Sequence, residues 1–275
     1  MYILVLIFSL LILNLSFVHG KQSPIAYPFN TANKYIQSSP PCLAAKCKDG
    51  IAFVSIHIRE YDSTSETYSD ELLLENIGPA RVEQIDDNAL LLTAGWRVDG
   101  HELADKGRDI CAEESTLFGV AKNRDFAESL GWGLVNYLAR CHVQESSRSL
   151  ATAGLLAVKS VDDLLGLYLV DTTGLYQCRA LALGCHSNQI NNLLLEMDFA
   201  EDDVDKGAET LLQLLRDCQE GNKTNDDSDK SEPKDLEIWR IPDDSIAEIV
   251  TLHSKSGEIK RRREIFARIS ENSEA

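Results

Sequence analysis

Apolar positions along the chain fall into runs of period two and period three to four, and the densest run lies between Ala151 and Met197. It predicts a strand from Ala151, a turn at Ser160 to Asp163 and a second strand over Leu164 to Val170. A turn at Asp171-Thr172-Thr173-Gly174 then leads into a third strand, Leu175 to Leu183, which breaks at Gly184. After it Ser187 is placed to cap a helix whose Ile190, Leu193, Leu194 and Met197 repeat at helical spacing.

Upstream, Cys42 to Ile58 reads as a hairpin turning at Lys48-Asp49-Gly50, and Glu60 to Glu75 is polar and reads as a loop. Arg81 to Asp87 and Asn88 to Gly95 read as strand, turn, strand. A helix is predicted from Val98 to about Glu114, with Leu103, Gly107, Ile110 and Cys111 on one side. A second helix, capped by Asp125, repeats Phe126, Leu130, Leu134 and Leu138. Downstream, Asp202 to Cys218 carries Val204, Ala208, Leu211, Leu212 and Leu215 at helical spacing. Gln219 to Asp235 is charged and poor in apolar residues, so it reads as an acidic flexible loop. Leu236 to Ile241 alternates as a last strand. Residues 42–250 thus form one domain, between an arm at 21–41 with a helical turn near Thr31 to Gln37 and a charged tail at 251–275. Within that tail, Lys260-Arg261-Arg262-Arg263 reads as a solvated helix face rather than a nuclear address.

Composition changes this picture in three places. The chain has 275 residues and a formal net charge of −17. Phosphate-backbone affinity rests on cationic side chains, so nucleic acid is not an expected partner. The start, Met1 to Gly20, is an apolar run ending in Val18-His19-Gly20, the pattern of a secretory signal peptide, although it lacks Lys or Arg; a misjoined translation start gives the same pattern. Ser9, Asn14 and Ser16 interrupt a run already short of the ~20 apolar residues of a span, so no stable membrane anchor is expected. The seven cysteines show no CxxC spacing and read as small core residues of a reducing compartment, which is at odds with a signal peptide. Asn222-Lys223-Thr224, in the hydrophilic loop, is a glycosylation sequon if the chain is secreted. His57, His101, His142, His186 and His253 lack metal-pair spacing, so neither metal nor cofactor is expected.

Several of these segments match one family in order. The hairpin with its Lys48-Asp49-Gly50 turn, the Ile85-Asp86-Asp87 turn followed by Ala94-Gly95, Asp99 with Arg108 and Phe118-Gly119, and Arg148 before the central strand all have counterparts there. So do Asp171 to Tyr176 and Ala182 to Ser187. The chain from Cys42 to Ile241 therefore resembles a divergent proteasome α-type subunit, of the N-terminal-nucleophile hydrolase superfamily. The order of strands, two helices, strands, two helices and a strand fits that superfamily's α+β fold: a four-layer αββα sandwich of two antiparallel sheets flanked by helices. The family's Tyr-Asp-Arg gate triplet and its Phe-Gln-Val-Glu-Tyr-Ala helix have no counterpart here.

The resemblance locates chemistry that the chain lacks. Such hydrolases need a chain-terminal Thr, Ser or Cys, a Lys beside it and an orienting Asp. Those three places fall on Pro40, Arg81 and Ile56, which implies a non-catalytic subunit. An alternative nucleophile, Cys42 freed by cleavage after Pro41, is two residues out of register. The resemblance further implies an activator-docking pocket in which Arg81 receives a carboxylate, Gly95 leaves backbone room and Trp96 narrows the opening. A second reading pairs Arg81 with Glu83 or Asp87 on a solvated edge. The implied partners are other α-type and β-type proteasome subunits and proteasome activators, in cytoplasm and nucleus. The alternative from another class is a secreted or endomembrane binding protein that reuses an inert αββα scaffold.

Overall fold

The computed structural model describes residues 26–57, 80–118, 126–143, 148–160, 164–224 and 245–266. The stretches read above as signal peptide, Glu60–Glu75 loop, Asp125 cap and Leu236–Ile241 strand lie outside these residues, as does the acidic loop beyond Thr224. In chain order the elements are α1 (Ala26–Ser38), β1 (Cys42–Lys46), β2 (Gly50–His57), β3 (Val82–Asp86), β4 (Ala89–Gly95), α2 (Arg97–Phe118) and α3 (Phe126–Val143). They continue as β5 (Thr152–Lys159), β6 (Leu165–Asp171), β7 (Gly174–Cys178), β8 (Ala180–Leu183), α4 (Ser187–Glu196), α5 (Val204–Thr224), β9 (Ile246–His253) and β10 (Ile259–Ile265).

The strands make two antiparallel five-stranded sheets, β10-β9-β2-β1-β8 and β3-β4-β5-β6-β7. Alternation along each strand divides the apolar residues among three cores. On β4, Leu90, Leu92 and Ala94 face the other sheet, where Phe53 and Val250 meet them. Leu91 faces outward, onto Leu103 of α2 and Leu130 and Leu134 of α3. On the opposite outer face Leu43, Val54 and Ile249 pack against Ile190 of α4 and Leu211 and Leu212 of α5. The result is the four-layer αββα sandwich expected.

Five elements differ from the sequence reading, the first being β9, Ile246–His253, a central strand where the reading ended its last strand at Ile241 and began a charged tail at 251. The single strand predicted over Leu175–Leu183 is two: β7 pairs with β6, the chain bends at Arg179, and β8 pairs with β1 of the other sheet. A run without a turn residue does not reveal that it serves both sheets. The arm holds a 13-residue helix rather than a single turn. Its Ala32 is buried and its Ile36 packs into the inter-sheet core, so tertiary contact stabilises the helix. In α4 only Ile190 and Leu194 are buried, Leu193 and Met197 being exposed. Ser187 is the first helical residue, after His186 in the left-handed region. Lastly, the Lys260–Arg263 cluster lies on β10, where the sequence suggested a helix face within a tail.

The Lys48-Asp49-Gly50 turn owes its composition to α5. Asp49 Oδ1 accepts the Val204 amide at 2.7 Å, satisfying one of the orphan donors of that helix's first turn. A Cβ on Gly50 would stand 2.9 Å from the Val204 side chain and 2.4 Å from the Leu252 carbonyl oxygen. Replacing Asp49 with Ala is expected to cost about 1 kcal/mol, as for the loss of a helix cap. In a domain of this size that corresponds to a fall in Tm of about 2–4 °C, measurable by thermal circular dichroism.

Candidate functional site

Four segments converge where β1 begins: the end of α1, the β3 entry, the end of β4 and the β8–α4 connection. Ser39 ties them together. Its Oγ accepts the Gly95 amide at 3.0 Å and donates to the Ile36 carbonyl at 2.7 Å, while its own carbonyl accepts the Cys185 amide at 2.8 Å. Two glycines are required by close backbone approach. Gly95 has φ +103°, and a Cβ there would lie 2.0 Å from the Ala151 oxygen; Gly184 has φ +96°, with its Cβ 2.6 Å from the Pro40 oxygen.

Of the residues singled out by sequence, this mouth brings together Pro40, Cys42, Arg81 and Gly95. Arg81 is 4% exposed, and its Nη1 donates to the carbonyls of Thr93 and Gly95, both at 3.3 Å. Glu83 instead pairs with Arg108 at 2.8 Å and with His101 at 3.0 Å, so the solvated-edge pairing of Arg81 with Glu83 or Asp87 is not what forms. Trp96 is exposed beside the mouth, with the Tyr35 ring 4.9 Å away and the Arg148 guanidinium 5.6 Å from its centroid. Arg148 is anchored by Asp99, a fully buried carboxylate that also accepts the Ala151 amide at 2.6 Å. Ile56 lies in the outer core under α5, away from the inter-sheet space. Asn222 falls in the last turn of α5 rather than in a loop.

The Cys42 thiol is fully buried, with Sγ 3.7 Å from the Thr93 carbonyl and 3.5 Å from that of Pro40. Burial outweighs the nearby Arg81 and Arg97 charges and pushes its pKa up; burial likewise raises Cys185 to about 12. Both stay as thiols at neutral pH, the less nucleophilic form.

Sequence reasoning missed the polar cluster beside this mouth. Ser55 and His57 on β2, Glu248 on β9, and Arg261 and Arg263 on β10 meet Arg97 from α2. Glu248 is fully buried. Its Oε1 accepts Arg261 Nη1 at 3.1 Å and Arg263 Nη2 at 3.2 Å. Its Oε2 lies 3.0 Å from His57 Nε2 and accepts the Arg81 amide at 3.4 Å. Burial alone would raise this carboxyl, but the His57 hydrogen bond and the charges of Arg261 and Arg263 prevail and bring it from 4.5 to about 2. Arg261 Nη2 also reaches the Val82 carbonyl at 2.7 Å, joining the two sheets. The signal available was the Ser-x-His alternation on β2; its acidic partner lies 191 residues away.

Ser, His and Glu side by side invite comparison with a hydrolytic triad, and the geometry refuses it. Arg97 Nη2, a donor only, is 2.9 Å from His57 Nδ1, so Nδ1 must supply a lone pair and Nε2 carries the proton toward Glu248. Burial foremost, with the adjacent arginines, lowers the His57 pKa and favours this neutral tautomer. Ser55 Oγ lies 3.5 Å from that same Nε2, which therefore has no lone pair to take its proton. The cluster is an ionic clamp.

Among the described residues no group of three or more His, Cys, Asp or Glu side chains is arranged to hold a metal ion. Nor is any of their helices long and apolar enough to cross a membrane. The sequence model of the family described as Proteasome subunit matches residues 37–230. Comparison with curated proteins finds no match.

Two outcomes follow from this geometry. Because the Glu248 pKa is depressed on folding, its stabilisation is fully present above about 4.5 and is lost as pH falls toward 2. Glu248→Gln should cost about 3 kcal/mol at neutral pH and flatten the stability profile between pH 4.5 and 2, read by urea denaturation. An unchanged acid limb would refute the clamp. Cys42 should resist iodoacetamide in the native protein at pH 8 and react once urea unfolds it, as followed by peptide mass spectrometry.

Proposed function

The chain belongs to the proteasome subunit family, and from that premise we propose that it serves as a non-catalytic core subunit of α type. In this role it builds part of an outer ring, supports barrel assembly and contributes to activator docking in protein degradation. The observation that carries the reading is the occupation of the β1 mouth. A terminal-nucleophile hydrolase needs a free α-amine and a reactive side chain there. Here the chain runs from α1 through Ser39 and Pro40 into β1, and α1 packs across β4 and β5. The expected nucleophile position carries a proline, and Ile56 faces a different core.

The partners on this reading are other α-type and β-type subunits, and the compartments are cytoplasm and nucleus. Activator docking at Arg81, Gly95 and Trp96 requires an incoming carboxylate to displace the two carbonyls that Arg81 now holds, whereas Trp96 is already exposed to a partner. The alternative, a secreted scaffold, draws its support from the apolar start and the Asn222 sequon.

Gel filtration of the endogenous protein, with mass spectrometry of the fractions that contain it, separates the two. Co-elution with α-type and β-type subunits at barrel size is the expected result. A small species beginning at Lys21 and bearing glycan on Asn222 would overturn the ring assignment.

A further inference from the structure

Away from the β1 mouth, a groove of about 710 Å³ opens between the β1–β2 turn, the Arg179 bend and the C-terminal end of α4. Its floor includes Leu181, Leu194 and Phe199, and the exposed Leu195 and Met197 stand at its rim. Leu195 is 84% exposed, more than any other large apolar residue among the described ones. Lys46, Lys48 and Arg179 also line the groove, and Asp198 is its one acidic residue. No described carboxylate forms an ion pair with any of these three cations. Over the whole chain Asp and Glu outnumber Lys and Arg by 44 to 27, whereas the lining itself carries three cations to one carboxylate; of the carboxylates behind it near Cys47, Asp49 is turned to the Val204 amide and Asp202 to Lys206.

We propose that this groove docks a partner protein through an acidic, leucine-bearing segment. Apolar side chains of that segment would cover Leu195 and Met197 and enter toward Leu194 and Phe199, while its carboxylates meet Lys46, Lys48 and Arg179. Charge complementarity selects the occupant: a segment entering the groove meets a lining of three cations and one carboxylate. The exposed Leu195 and Met197, above the buried Leu194 and Phe199, account for the apolar half of the requirement. The segment docks by side chains rather than as an added strand. Asn191 already occupies the free edge of β8, donating to the Ala182 carbonyl at 3.1 Å and accepting its amide at 2.7 Å. This proposal does not depend on membership of an outer ring.

The test titrates the full chain into a fluorescein-labelled peptide of alternating glutamate and leucine with a central phenylalanine, followed by anisotropy. Saturable binding is expected, weakened at least about tenfold by Lys48→Glu combined with Arg179→Glu and weakened again by raising the salt concentration. Leu195→Glu should also weaken it. The same double reversal should create binding for the corresponding lysine–leucine peptide, a gain that misfolding cannot produce. Absence of saturation with the acidic peptide overturns the proposal, as does equal binding of the lysine peptide to the unaltered chain. Binding of decanoate without binding of the peptide likewise overturns it, in favour of a small anionic amphiphile.

Discussion

A strand that is apolar on both faces has to lie between two other layers, and β2, β4, β5 and β9 are buried along almost their whole length. Each buried leucine or valine contributes about 1.5–3 kcal/mol on leaving water, so neither sheet could stand with one face exposed. The four-layer sandwich follows from this constraint. Helices α2 and α3 must cover one outer face, α4 and α5 the other, and the inner faces must meet. Polar chemistry is then confined to the ends of the sandwich, where strands run out and backbone from both sheets comes within reach. The β1 mouth, the Glu248 clamp and the groove beside α4 all occupy such ends.

Much of the fold was legible because strand and helix periods are distinct in this sequence. The β1–β2 hairpin and the β3–β4 pair carry apolar or β-prone runs closed by turn residues, and α2, α3 and α5 carry helical spacing; all form close to where the pattern puts them, α5 running on from Cys218 to Thr224. The failures share a cause, which is that long-range partners decide them. Leu175 to Leu183 contains no Gly, Pro, Asn or Asp to mark a turn, yet its two halves belong to different sheets because β6 and β1 claim them separately. The helix Ala26–Ser38 contains Pro28, and its packing across β4 and β5 is invisible in its own composition. On β10 the alternation is between one charged residue and another, so hydropathy carries no signal.

The candidate site was legible in part for the same reason. The spacing from Arg81 to Gly95 spans a tight two-stranded hairpin, and so the two residues meet, with Arg81 Nη1 on the Gly95 carbonyl. What spacing could not give was direction: a cation expected to face a ligand donates inward to the chain's own carbonyls. Glu248 was missed because nothing in its neighbourhood is polar. It sits among Ile246, Ala247, Ile249 and Val250, and only the pairing of β9 with β2 and β10 supplies its partners.

That pairing gives the clamp a use beyond energy. A buried ion cluster often adds little net stability over apolar residues of similar shape, but leaving one of its charges unpaired is costly. On β10, Arg263 lies directly opposite Glu248 and Arg261 two residues away, so both reach the same carboxylate from one face. Arg262, between them, points to the other face and pairs with Glu209 of α5. A slip of one residue would turn Arg261 and Arg263 away, place Arg262 or a glutamate against Glu248, and leave buried charge unmatched. Hydropathy cannot set the register of an edge strand whose central residues are all charged, and here electrostatics does so. Because Arg261 also holds the Val82 carbonyl, the same choice of register fixes where the two sheets meet at this end of the sandwich.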